Sequence, residues 1–240
     1  MFKFLKKTKN LFSGLYTLFM ISLLLLFVLR PAGRGGVYIA IWQFCFIAVI
    51  AAAIFNSIKS HWLKIAASII AFPTIIFNWL SLSYPQNDIL LGLYLLSAFL
   101  FILICAISII NQVVLHAKVT VETLRGVICA YFLVAFAFAY CYFFIEFLTP
   151  GSFSSLFPET DFLRHTHFIS EMMYFSFVTL LTIGFGDIAP LNSISRTFVI
   201  LEGIIGQFYI AILVARLVAV YSFYSNKEIL KKTVKQEIKK

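Results

Sequence analysis

Six apolar runs dominate the chain, at 11–29, 37–55, 62–82, 89–115, 127–148 and 198–221. Each is long enough to cross a hydrocarbon layer as a helix. Of the 240 residues 62% are hydrophobic and only 12% are charged, and the mean hydropathy is +0.98. An ordinary soluble domain is excluded by those values. The expectation is an all-α integral membrane protein with six transmembrane helices. The 28 Phe suit lipid-facing surfaces. The third run is the least regular, since it holds Lys64, Pro73 and Asn78. A buried membrane helix tolerates such a proline, with a kink expected there.

Charge placement orients the runs. Lys3, Lys6, Lys7 and Lys9 open the chain, and Lys227, Lys231, Lys232, Lys235, Lys239 and Lys240 close it. Both termini are therefore expected to be cytoplasmic, which requires an even number of spans. Lys59, Lys64, Lys118, Arg125 and Arg216 then also fall inside, giving fifteen basic residues. Arg30, Arg34, Arg164 and Arg196 fall outside. That bias favours six spans in a multi-pass protein of the cell membrane, plasma or inner. It also puts segment 149–197 on the external side. The basic tails lie too close to spans to suggest nucleic acid, and anionic lipid headgroups fit them better. The N-terminal run imitates a signal peptide, but it is long and ends at Leu29-Arg30-Pro31 with no small-residue cleavage site, so a retained first span is expected. Cys45, Cys105, Cys129 and Cys141 all lie in apolar stretches without metal-ligand spacing and read as small apolar residues.

Within the external segment stands Thr179-Leu180-Leu181-Thr182-Ile183-Gly184-Phe185-Gly186-Asp187. A row of backbone carbonyls can replace the water around a dehydrated cation only if all of them face one axis. An ordinary strand alternates, so every second residue must visit a conformation that side chains resist. Gly184 and Gly186 reach positive φ without steric cost. Thr182 adds a hydroxyl below the carbonyls. A lone Gly-x-Gly would read as a loop. Here a short amphipathic stretch, 171–181, precedes it, Asp187 and Pro190 follow, and then comes a long apolar run. Helix, extended segment and second helix are the order of a re-entrant pore between helices 5 and 6. Ser170 is the expected N-cap of the pore helix, with Glu171 in its first turn. The negative end of that helix would favour a cation below the filter.

On these residues the chain resembles the tetrameric potassium channels, of a six-span type that is not voltage-gated. The resemblance implies an ion-binding filter of Thr182, Ile183, Gly184, Phe185 and Gly186, with K+ held at Thr182, Ile183, Gly184 and Phe185. It implies filter support from Asp187, with Thr179 and Tyr174 behind it. Phe185 replaces the commoner Tyr and removes one hydrogen bond, about 0.5–1.5 kcal/mol. A glutamate on the pore helix braces the aspartate in some relatives. Val178 stands at that position, which leaves Tyr174 as the nearest donor by helical spacing; a merely polar mouth is the alternative for Asp187. Tyr174, Phe175 and Phe177 are expected to form an aromatic cuff around the filter.

The last run resembles the family's inner helix. Gly206 lies twenty residues past Gly186, where relatives carry a hinge glycine. Close helix packing is the equal alternative. By helical period Gln207, Ile210 and Val214 share a face that would line the cavity. Arg216 can snorkel. Glu202 is expected to pair with Arg196 or to brace the pore helix. His165 and His167, with Glu159 and Asp161, read as a solvated outer loop, or else as a pH or metal sensor.

The expected organisation is an N-terminal four-helix membrane domain at 1–118, a pore domain at 119–225 and a basic cytoplasmic tail at 226–240. One filter segment per chain cannot surround an ion, so three further copies are implied, a homotetramer. The expected function is passive, potassium-selective conduction, with no enzymatic activity and no cofactor beyond the permeant K+. The alternatives are a weakly selective cation channel and a potassium transporter subunit, whose several degenerate loops the single intact motif does not match. The fourth run carries no Arg or Lys, so weak voltage dependence is expected.

Overall fold

The computed structural model describes residues 16–29, 44, 46–54, 61–84, 87–115, 121–154 and 164–237. Six helices are defined: α1 Thr17–Leu29, α2 His61–Ser83, α3 Asp88–Leu115, α4 Val121–Leu148, α5 Arg164–Leu180 and α6 Ser193–Glu237. Residues 46–52 are also helical.

Among the described residues four stretches are long and apolar enough to cross a membrane: His61–Ser81, Asp88–Gln112, Leu124–Leu148 and Ser193–Leu213. Of the six expected spans, the run at 11–29 is described only as the 13-residue α1. Of the run at 37–55 only residues 44 and 46–54 are described; the N-terminal lysines and Cys45 lie outside the described residues. The 118/119 boundary falls between α3 and α4, in residues outside the description. The proline-bearing third run forms one continuous helix, α2, with Pro73 inside it.

α4 is the hub, packing against α1, α3, α5 and α6. Its sequence explains why. Ala130, Ala135 and Ala139 are at most 1% exposed, and small residues let neighbouring backbones approach where water gives no hydrophobic drive. Leu133, Phe136 and Tyr140 of α4 meet Phe101, Leu95 and Ile109 of α3 in one core. The buried Tyr94 and Tyr140 hydroxyls satisfy each other at 2.9 Å. α1 is tied to α4 by Arg125, whose Nη1 donates to Thr17 Oγ1 at 2.8 Å, and by Phe27 packed edge-on against Phe132.

Helix starts follow local chemistry. Asn87 Oδ1 accepts from the Ile89 and Leu90 N–H groups at the head of α3, as an N-cap should. At the head of α6, Ser195 N–H donates to Asn192 Oδ1 while Asn192 N–H donates to Ser195 Oγ, a reciprocal capping box.

Two expectations are corrected. α5 begins at Arg164, so Ser170 lies inside the helix rather than capping it, and Glu171 is not in its first turn. Tertiary packing extends the helix: Ile169 is buried and Phe168 meets Phe143 at 5.0 Å between ring centroids. The backbone of His165 and His167 is therefore helical rather than looped. α6 extends to Glu237.

Candidate pore site

The C-terminus of α5 runs directly into the segment 182–187. Thr182 N–H donates to the Thr179 carbonyl and Ile183 N–H to the Val178 carbonyl, both at 2.9 Å. That pair of bonds, around a residue in the left-handed region, is a Schellman stop. The left-handed residue is Thr182, with φ 57°. Glycine normally occupies this place, and a β-branched residue there is strained. The remaining terminal carbonyls are used as well. Phe177 accepts from Leu181 N–H at 2.9 Å, and Leu180 accepts from the Tyr131 hydroxyl of α4 at 3.1 Å.

Beyond the stop, positive φ recurs at every second residue: Thr182 at 57°, Gly184 at 62° and Gly186 at 77°. Ile183 and Phe185, between them, do not share it. The expected alternation is present, and it begins one step earlier than the glycines indicate. The segment is exposed on the single chain, with Ile183 at 49% and Phe185 at 67%.

The supports sort themselves by contact. Tyr174 donates its hydroxyl to Asp187 Oδ2 at 2.6 Å, and its ring lies parallel to that of Phe185. That hydrogen bond is the first cause holding the Asp187 carboxyl below its ordinary range. Thr179 supports the segment through its carbonyl. The expected cuff is corrected: Phe175 packs on Tyr142 and Phe153, and Phe177 on Phe27, Phe132 and Phe136. Both rings fill the chain's own core, because α5 turns that face to α4 and α1.

A second brace holds the segment after Asp187. The Glu146 carboxylate, at the end of α4, accepts from the N–H groups of Gly151, Ser152 and Phe153 at 2.7, 2.8 and 3.1 Å. The loop so ordered pairs with the descending chain: Ser154 N–H donates to the Ala189 carbonyl and Leu191 N–H to the Ser152 carbonyl. Asn192 Nδ2 donates to Ser152 Oγ at 2.6 Å. Arg196 Nε donates to the Pro190 carbonyl at 3.3 Å.

Glu202 does not pair with Arg196. It is fully buried between α4 and α5. The Tyr142 hydroxyl donates to its Oε2 at 2.5 Å, and Ser176 Oγ of α5 contacts its Oε1. Four residues down α6, Gly206 faces the end of α5. A Cβ on it would stand 2.8 Å from the Leu180 carbonyl oxygen and 2.9 Å from Leu180 Cδ1. Close packing thus accounts for this glycine. Below it Tyr209 donates its hydroxyl to the Val127 carbonyl at 2.6 Å. Gln207 and Ile210 are exposed on the single chain; the Val214 side chain lies outside the described residues.

Sequence reasoning missed Tyr131, Tyr142, Glu146, Ser152, Ser176 and Tyr209. Intramembrane hydroxyls and a helix-end carboxylate were the available signal, but only the fold names their partners. Among the described residues no group of three or more His, Cys, Asp or Glu is placed to hold a metal ion. Among the described residues Cys105, Cys129 and Cys141 form no disulfide.

No curated protein and no solved structure matches the chain. Residues 126–222, which run from the start of α4 to the middle of α6, match the family model described as Ion channel, and that stretch is similar to an ion-channel pore domain.

Proposed function

We propose that this chain is the pore-forming subunit of a potassium-selective channel, assembled as a homotetramer of six-span subunits with Thr182–Gly186 on the fourfold axis. The observation that carries the reading is the alternation of positive φ at Thr182, Gly184 and Gly186 directly beyond the stop of α5. Such alternation turns successive carbonyls to one side, the arrangement that coordinates a dehydrated cation. K+ would sit at Thr182, Ile183, Gly184 and Phe185, and Gln207, Ile210 and Val214 would line the cavity.

Exposure supports the assembly. Irregular backbone at membrane depth is stable only against protein or a water-filled cavity, yet the segment 181–187 is exposed on one chain. On α6, Ile200, Ile204, Phe208 and Ile212 form an exposed stripe at four-residue spacing, each at least 47% exposed. Three further copies would cover both. Transport is passive, in the cell membrane, with both termini cytoplasmic and the basic tails against anionic headgroups.

Reversal potentials in planar bilayers test the selectivity. Exchange of sodium for potassium on one side should shift the reversal potential strongly. Equal potentials for the two ions would indicate a weakly selective cation channel instead.

A further inference from the structure

Among the described residues no Lys or Arg side chain faces the Glu202 carboxyl. Among the described residues its partners are the hydroxyls of Tyr142 and Ser176. The titratable groups facing it are Tyr142, Cys141 and Tyr131, all from α4. From α5 it meets Ser176, which does not titrate.

Counting hydrogens fixes more. Ser176 Oγ lies 2.7 Å from the Ala135 carbonyl oxygen and also contacts Glu202 Oε1. A serine hydroxyl carries one hydrogen, and a carbonyl only accepts. Two oxygens at 2.7 Å without a hydrogen between them repel, so the Ser176 hydrogen belongs to Ala135. The hydrogen between Ser176 and Glu202 must then come from Glu202. Tyr142 supplies the hydrogen on the other carboxyl oxygen.

We propose that Glu202 is a neutral carboxylic acid, the middle link of a hydrogen-bond chain from Tyr142 through Glu202 and Ser176 to the Ala135 carbonyl, and that it positions the pore helix in a proton-dependent way. The chain joins α6, α5 and α4 six residues ahead of Thr182 on the pore helix. Loss of the Glu202 proton would remove the donor to Ser176. Ser176 would then have to turn its only hydrogen from Ala135 to the new charge, and a bare carboxylate would stand in a dry site. Alkalinisation therefore loosens α5 from α4 at the Ala135 carbonyl and shifts it toward Glu202. The effect on conduction rests on the channel reading; the protonation state does not.

Glu202→Gln separates these statements, because an amide is neutral, donates to Ser176 and accepts from Tyr142. Infrared spectra of the purified protein in bilayers at neutral pH should show a protonated-carboxyl band that Glu202→Gln removes. A spectrum with carboxylate bands alone would overturn the proposal. Rubidium uptake by wild type should fall several-fold from neutral to alkaline pH, while Glu202→Gln should match wild type at neutral pH and stay flat. Identical pH profiles, or a variant already impaired at neutral pH, would also overturn it. If neither protein takes up rubidium at any pH the channel reading fails, and the infrared band alone then decides the state of Glu202.

Discussion

Gly206 and the Leu180 carbonyl are in contact so close that a methyl group at 206 would stand 2.8 Å from the oxygen. α6 thus touches the last turn of α5, two residues before the segment of alternating φ. The same carbonyl accepts from Tyr131 of α4. Three helices converge at one backbone oxygen just before the segment of alternating φ.

Gly206→Ala should therefore act through α5 rather than through bending of α6. Overpacking a tight contact costs about 1–3 kcal/mol. The variant should melt earlier in detergent and lose selective uptake. A variant with normal stability and selectivity but altered open probability would favour a hinge instead.

Gly184→Ala tests the backbone alone. Nothing lies within 4 Å of a Cβ at this position in the single chain, so the cost comes from φ 62°. An L-residue in the left-handed region costs about 1–2 kcal/mol. Selective uptake should be abolished with little change in expression or in the helical signal of circular dichroism.

Tyr174→Phe removes the hydroxyl that reaches Asp187 and leaves the ring beside Phe185. Currents should begin normally and then decay faster than in wild type. Asp187→Asn should give the same direction of change, because the carboxylate is the acceptor. Steady currents in both variants would show that this bond does not hold the filter.

The Glu146 carboxylate gathers three backbone N–H groups. Hydrogen bonds to a charged group contribute about 1.5–3 kcal/mol. Glu146→Gln should lower the melting temperature measurably and release the pairing between the loop 151–154 and residues 189–192. Faster amide hydrogen exchange at Ser154 and Leu191 would report that release; unchanged exchange would contradict it.

Much of this site is legible in the sequence, for physical reasons. Gly184 and Gly186 announce positive φ because only glycine takes it freely. Tyr174 is legible because helical spacing brings it toward Asp187. Thr182 is not, since a β-branched residue gives no sign of a left-handed φ; the Schellman stop of α5 imposes it. Glu202 is legible as an intramembrane carboxylate, but its partners stand 26 and 60 residues away, and no local spacing connects them. The start of α5 is hidden for a similar reason. A serine followed by a glutamate imitates a cap, while the contacts of Phe168 and Ile169 with the core carry the helix further back.

The lack of Arg and Lys in α3 leads to a further expectation. Asp88–Leu115 contains no Arg or Lys. One charge crossing the full field gains about 2.3 kcal/mol per 100 mV, and steep gating needs several per subunit. Currents in symmetric potassium should be nearly ohmic. A steep sigmoidal conductance curve that persists when the permeant ion is changed would contradict this expectation.

Rubidium uptake into proteoliposomes of purified protein tests the central claim most directly. Wild type should accumulate rubidium, external potassium should compete with it, sodium should not, and barium should block it. Gly184→Ala should show none of this selective uptake. Uptake that sodium competes with as well as potassium does, or that survives intact in Gly184→Ala, would contradict a potassium-selective filter at Thr182–Gly186.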